Sequence, residues 1–169
     1  EQTFGDLDFP RFTVDYRRYR TLYERLDMSG RHVVGLGFAG GVVGSNAPVY
    51  ENFFAGGYST FRGIRFRHAS PKESGVIVGG EMSLLGTAEY FFPISADDMV
   101  RGTLFCDLGT VEPGTRIHGA NFRISIGAGL RITIPRFGPA PVSLDLAVPI
   151  DRNPADRVQN LMLFVNLGL

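Results

Sequence analysis

The chain predicts an all-β protein, an antiparallel transmembrane β-barrel whose apolar faces turn toward lipid. Three observations carry that reading. The stretch Phe122 to Ile134 alternates over its whole length, with Phe122, Ile124, Ile126, Ala128, Leu130, Ile132 and Ile134 on one face. Arg123, Ser125, Gly127, Gly129, Arg131 and Thr133 take the other. Side chains alternate faces along a strand, and the run meets the roughly 9–11 residues that cross a bilayer as a strand. Second, the faces opposite the apolar ones are bare or weakly charged, unlike a solvated surface. Third, no segment keeps a helical period, and no run of 18 apolar residues offers a transmembrane helix.

Composition supports these points. The chain has 169 residues, enough for one domain, with 17 Lys plus Arg against 17 Asp plus Glu. That balance argues against nucleic acid as a partner, which calls for a basic excess. Charged residues make up 20%, below the roughly 25% of soluble domains. There are 22 Gly where average usage gives about 12. Cys106 is the only cysteine, so no internal disulfide forms. His32, His68 and His118 are scattered without ligand spacing. No Ser–His pair stands out, so the sequence suggests no metal, no cofactor and no catalysis.

The elements follow in order. Phe12 to Glu24 is strand-like but poorly polarised, with Arg17, Arg18 and Arg20 among tyrosines. Asp27 to Gly30 reads as a turn. Arg31 to Val43 sets Val34, Leu36, Phe38 and Val42 against a face of Val33, Gly35, Gly37, Ala39 and Gly41. Glycines along one face weaken a strand unless another segment needs the room. Residues 44–74 form a long connection, and such loops are uncommon unless functional.

Gly79 to Phe92 sets Met82, Leu84, Ala88, Tyr90 and Phe92 against Glu81, Ser83, Thr87 and Glu89. Met99 to Thr110 sets Leu104, Cys106 and Leu108 against Arg101, Thr103, Phe105 and Asp107. Phe122 to Ile134 is next, then a turn-like connector from Pro135 to Pro141. Val142 to Val148 sets Leu144 and Leu146 against Ser143 and Asp145. Pro149 to Pro154 reads as another connector. Val158 to Leu169 closes the chain, with Leu161, Leu163, Val165, Leu167 and Leu169 opposite Asn160, Met162, Phe164, Asn166 and Gly168.

Seven strands result. A soluble sandwich or lipocalin-like barrel would also alternate. Strand length, the bare polar faces and aromatics near strand ends (Tyr90, Phe91, Phe92, Phe122) favour a membrane barrel. A sheet in a bilayer must close, and bacterial barrels have an even strand number of eight or more. Seven strands therefore imply either an eight-stranded barrel whose poor first strand lies in Glu1 to Arg11, or the C-terminal part of a larger one.

The long connection carries a recognisable pattern. Phe53-Phe-Ala-Gly-Gly-Tyr-Ser-Thr-Phe-Arg-Gly-Ile64 resembles the loop motif of the BamA superfamily of outer-membrane assembly factors and two-partner secretion transporters. The tip matches at Phe61, Arg62, Gly63 and Ile64, with Ile64 where an aromatic is usual. Ala88 to Pro93, Phe105 to Val111, Phe122 to Pro135, Gly138-Pro139 and Leu161 to Leu169 resemble later strands in the same order. The likeness runs over about residues 10–169, and Leu169 stands where the family ends on an aromatic.

The resemblance implies the last seven strands of a 16-stranded barrel, without the first half or the periplasmic POTRA domains. It implies a loop, residues 44–74, that folds into the lumen. Arg62 would sit against Glu89 and Asp107 on the inner wall, with Gly35, Gly37 and Gly41 leaving space. The last strand (Val158, Leu161, Leu163, Val165, Leu167, Leu169) would supply one edge of a seam that accepts substrate strands. Its implied setting is the outer membrane, with the lipid bilayer and unfolded outer-membrane proteins as partners and accessory lipoproteins as further ones. A two-partner secretion-type pore and a small structural or porin-like barrel are the other readings.

Overall fold

A computed structural model describes residues 9–27, 29–133 and 142–165. Its frame is one antiparallel sheet of seven long strands. They are β1 (Arg11–Tyr23), β2 (His32–Val43), β6 (Met82–Pro93), β7 (Val100–Glu112), β8 (Arg123–Ile132), β9 (Val142–Asp151) and β11 (Leu161–Val165). Each pairs with the next in that order. Four two-residue strands complete the set: β3 (Gly63–Ile64), β4 (Lys72–Glu73), β5 (Val76–Ile77) and β10 (Val158–Gln159). Among the described residues, β1 pairs only with β2 and β11 only with β9, so both ends of the sheet are open edges.

The burial pattern inverts that of a soluble protein. On β8, Ser125 is 0% exposed and Ile126 46%. On β9, Asp145 is 0% exposed and Leu146 57%. Arg123 and Arg131 are buried while Ile124 is exposed. The apolar faces of Leu36, Phe38, Leu104, Leu108, Leu144 and Val148 point outward in the same way. Soluble chains rarely expose contiguous apolar patches beyond a few hundred Å². A face of this kind on β2, β7, β8 and β9 needs hydrocarbon against it.

The interior is packed by the long connection. Ala55, Phe61, Ile64 and Ala69 from that loop form a core with Val111 of β7, and Phe53 and Leu85 pack against it. The glycines explain the fit at particular points. A Cβ on Gly41 would strike the ring of Phe53, and one on Gly127 would strike the ring of Phe105. Gly129 leaves room for the carboxylate of its register partner Asp145.

The connections differ at the two rims. The connections 44–81, 113–122 and 152–160 leave and re-enter the sheet at one rim, whereas 24–27, 29–31 and 94–99 lie at the other. Long loops mark the extracellular side of outer-membrane barrels and short turns the periplasmic side.

Three expectations need correction. Pro149 is not the start of a connector but lies inside β9, beside the register shift between Ile124 and Ser125. Proline, lacking an N–H, is tolerated in sheets at such irregularities. Val158 to Leu169 is not one strand. Val158 and Gln159 leave β9 and pair with Ile64 and Gly63 of the loop, and pairing with β9 begins at Leu161 opposite Leu146. Continued in register, Val158 would face Pro149, which has no donor to offer. Phe91 belongs to no outer girdle, since it points inward toward Tyr19, with ring centroids 6.5 Å apart. Ile134, the Pro135 to Pro141 connector with Gly138-Pro139, Leu167 and Leu169 lie outside the described residues.

Candidate functional site

The loop tip brings a charged side chain to the inner wall. Phe61 and Ile64 anchor it in the core, at 1% and 0% exposure. Gly63 between them has φ +90°, and an added Cβ would lie 2.8 Å from Ser125 Oγ and 3.2 Å from Pro149 Cδ. Only glycine combines that backbone state with such an approach. Gly63 and Ile64 then pair with β10, which fixes the direction of Arg62.

The Arg62 guanidinium is a planar fork of donors suited to carboxylates. Its Nε donates to Asp107 Oδ2 at 2.8 Å and its Nη2 to Asp107 Oδ1 at 2.7 Å. Nη1 donates to Glu89 Oε1 at 2.7 Å, and Nη2 also reaches Thr87 Oγ1 at 3.0 Å. The backbone N–H of Arg62 donates to the same Asp107 carboxylate at 3.1 Å. Thr87 Oγ1 in turn donates to Asp107 Oδ1 at 2.7 Å. The guanidinium carbon lies 3.6 Å from the centroid of Phe105. Arg62, Glu89 and Asp107, singled out from the sequence, are thus in direct contact.

Burial disfavours the Arg62 charge, but hydrogen bonding to Asp107 and the attraction of Asp107 and Glu89 outweigh it and raise its pKa. The group stays charged at any physiological pH. Pairing is what makes the burial tolerable, because removing one partner of a buried ion pair strands the other.

Several members were not singled out from the sequence. Asp145 Oδ2 lies 3.6 Å from Arg62 Nη1, and both Asp145 oxygens also accept from Arg131. Thr87 and Phe105 complete the setting. All three were visible as members of polar faces, but their convergence depends on how the sheet wraps around the loop. The glycine expectation is met unevenly. Gly41 receives Phe53 of the loop, whereas the room over Gly35 and Gly37 is taken by Tyr19 of β1 and Thr87 of β6.

Two further ties hold the loop. The ring of Tyr58 stacks on Phe164 of β11 at 4.3 Å and 9° between planes. Together with the β3–β10 pairing, this connects the loop to the edge strand. Near the outer rim, Asp156 accepts from Arg123 Nε at 2.6 Å and lies 3.4 Å from Lys72 Nζ. Lys72 also donates to the carbonyls of His68 and Ala155. Leu161, Leu163 and Val165 face outward on the open edge strand. Between the loop and the wall lies a cavity of about 540 Å³, lined by Arg17, Tyr58, Arg62, Glu89, Arg101 and Arg131 among others. Among the described residues no cluster of His, Cys, Asp and Glu is arranged to hold a metal ion.

Comparison with known proteins bears on this arrangement. The profile of the Omp85 superfamily domain matches residues 1–167. The outer membrane protein assembly factor BamA of Nitratidesulfovibrio vulgaris is 31% identical over 107 residues. That alignment takes in 62% of this chain and 13% of the relative. The crystal structure of BamA from Haemophilus ducreyi lacking POTRA domains 1–3 superposes with a TM-score of 0.74 at 20% identity. It covers 95% of this chain and 35% of that one. The chain therefore spans a minor part of the length of both.

Proposed function

We propose, on the premise that this chain belongs to the Omp85 superfamily, that its parent protein assembles and inserts outer-membrane proteins. Membership makes the chain a segment of a non-enzymatic outer-membrane β-barrel, of the BamA-like kind. The finer reading is that these are the last seven strands of a 16-stranded barrel. Substrate strands would pair at the edge offered by β11, since a row of unpaired backbone groups templates another strand. Unfolded outer-membrane proteins are the proposed substrates, with accessory lipoproteins as further partners.

The observation that carries the proposal is the buried fork of Arg62 on Asp107 and Glu89. It pins a loop from the extracellular rim deep against the inner wall. The same loop reaches β11 through Tyr58 and through the β3–β10 pairing. A docked loop therefore fixes the position of the edge strand and keeps the seam in one geometry. A loop packed in the lumen also supports the seam, rather than the lumen, as the working path, which favours assembly over a secretion pore.

The test is complementation in cells depleted of the full-length protein. Arg62→Ala should lower the steady-state level of newly assembled barrels, while Arg62→Lys keeps part of the activity. Wild-type assembly by a heat-modifiable Arg62→Ala protein would overturn the proposal.

A further inference from the structure

The outer face of β1 carries two arginines. Register places Phe12, Val14, Tyr16, Arg18 and Arg20 of β1 opposite Val42, Gly40, Phe38, Leu36 and Val34 of β2. Leu36 and Phe38 are on the exposed apolar face. Arg18 and Arg20 therefore emerge on the membrane side, and both are exposed. Arg17 and Tyr19 take the opposite face. Tyr19 lies over Gly35, and Arg17 lines the internal cavity.

Among the described residues nothing on that outer surface neutralises them. The outward positions of β1, β2 and β6 hold no carboxylate: Asp15 and Glu89 both fall on inward positions. Among the described residues neither arginine makes an ion pair. An arginine facing lipid is costly at the midplane and nearly free at the interface, so these two are tolerated where they reach headgroup level, and an anionic headgroup there attracts them further.

The aromatic residues locate that interface. Tyr23 packs edge-on to His32 at 5.8 Å, and His32 Nδ1 lies 2.7 Å from the Tyr90 hydroxyl. Tyr90 lies beside Phe92 at 6.0 Å. Such a girdle sits at headgroup level, here at the rim of the short turns. Counting along β2 from His32, the partners of Arg20 and Arg18 are two and four residues away, or about 7 and 13 Å. A strand tilt of about 35–45° reduces these to roughly 5 and 10 Å of depth. Long arginine side chains snorkel toward that level.

We propose that Arg18 and Arg20, with the Tyr23–His32–Tyr90 girdle beneath them, form a binding site for the phosphate of an anionic phospholipid. The lipid belongs to the periplasmic leaflet. The guanidinium groups bind the phosphate, and the acyl chains lie along Leu36, Phe38 and the neighbouring apolar face. This site rests on the membrane reading given above but not on the assembly activity.

The experiment uses the full-length protein in nanodiscs of mixed phosphatidylcholine and phosphatidylglycerol, with native mass spectrometry counting the lipids that stay bound. The wild type should retain phosphatidylglycerol in preference, and less so as salt rises. Each arginine removed in Arg18→Gln and Arg20→Gln should lower that retention about fivefold. Arg18→Lys with Arg20→Lys should keep most of it. Arg17→Gln, an equal charge loss on the other face, should leave it unchanged. Retention by the double glutamine variant equal to wild type, or an acidic residue elsewhere in the protein cross-linking to Arg18, would overturn the site. If the glutamine variants do not fold, the wild-type salt titration and the lysine variants still decide. A wild type that fails to insert even into phosphatidylcholine discs overturns the membrane reading and the site with it. Insertion without anionic preference overturns the site alone.

Discussion

The loop is held at two places by buried charges, and the two differ in kind. At the tip, one arginine from the loop meets carboxylates from the wall: Arg62 on Asp107 and Glu89. At the root, one carboxylate from a neighbouring connection gathers cations from the wall and the loop: Asp156 with Arg123 and Lys72. The tip is a rigid bidentate fork with a third hydrogen bond to the same carboxylate from its own backbone. The root has a fork too, Arg123 Nε and Nη2 on the two Asp156 oxygens, but it ties the wall to the neighbouring connection, and the loop joins it only through the flexible Lys72 ammonium. The tip can therefore set one geometry for the loop, whereas the Lys72 tie at the root can adjust while the tip stays in place.

The largest effect should come from the tip. Arg62→Ala strands Asp107 and Glu89, and breaking a buried pair costs about 3–5 kcal/mol. Limited proteolysis of the loop in the folded barrel should speed up sharply, and an unchanged cleavage rate would show that the fork is not what docks it. Gly63→Val comes next. It forces a β-branched side chain to a positive φ and into Ser125 and Pro149, at a cost on the order of 1–3 kcal/mol for the backbone alone. Urea unfolding in lipid vesicles reads it directly, and a midpoint equal to wild type would refute the close approach.

Asp156→Asn should cost less than the tip variant, about 1–3 kcal/mol, because Arg123 keeps the Asn121 carbonyl. Hydrogen exchange should then rise around 65–78 while the amides beside Arg62 stay protected. Equal exposure at both places would show that tip and root undock together. Phe164→Ala removes the stack on Tyr58, worth about 0.5–1.5 kcal/mol beyond its area. Cysteine cross-linking between positions 58 and 164 should lose efficiency in variants that undock the tip.

The smallest effect is a pH dependence confined to the root. Burial pushes the His68 pKa below its ordinary value, with Lys72, Arg157 and Arg65 adding to the shift. A base whose folded pKa is lowered binds more protons when unfolded, so stability is lost as pH falls below about 6.5. Mild acid should therefore increase exchange near His68 and spare the tip, where Arg62 stays charged. His68→Gln should flatten that profile.

Much of this was legible from residue types alone. Period-two alternation located β2, β6, β7, β8 and β9, because a strand with hydrocarbon on one face has no freedom to vary its pattern, whereas β1 is poorly polarised and Val158 to Leu169 read as one unbroken strand. The bare face of Gly35, Gly37 and Gly41 announced that something large lay close, though not that Tyr19, Thr87 and Phe53 would fill the room. Arg62, Glu89 and Asp107 came from the loop pattern together with their place on polar faces. Asp145, Thr87, Tyr58 and Phe164 did not, since each looks ordinary on its own strand. The break at Val158 was hidden because Val158 continues the apolar pattern. Only the lack of a donor on Pro149 and the arrival of Gly63–Ile64 divert the chain there.

The division has a physical basis. Alternation, length and glycine placement are local, so the chain alone decided which segments become strands and which face meets lipid. Which carboxylates reach one arginine depends on curvature and register across strands far apart in sequence. Asp145 lies 83 residues from Arg62 and Asp156 lies 84 from Lys72. Those meetings exist only once the sheet has wrapped around its loop, and the tertiary structure alone decided them.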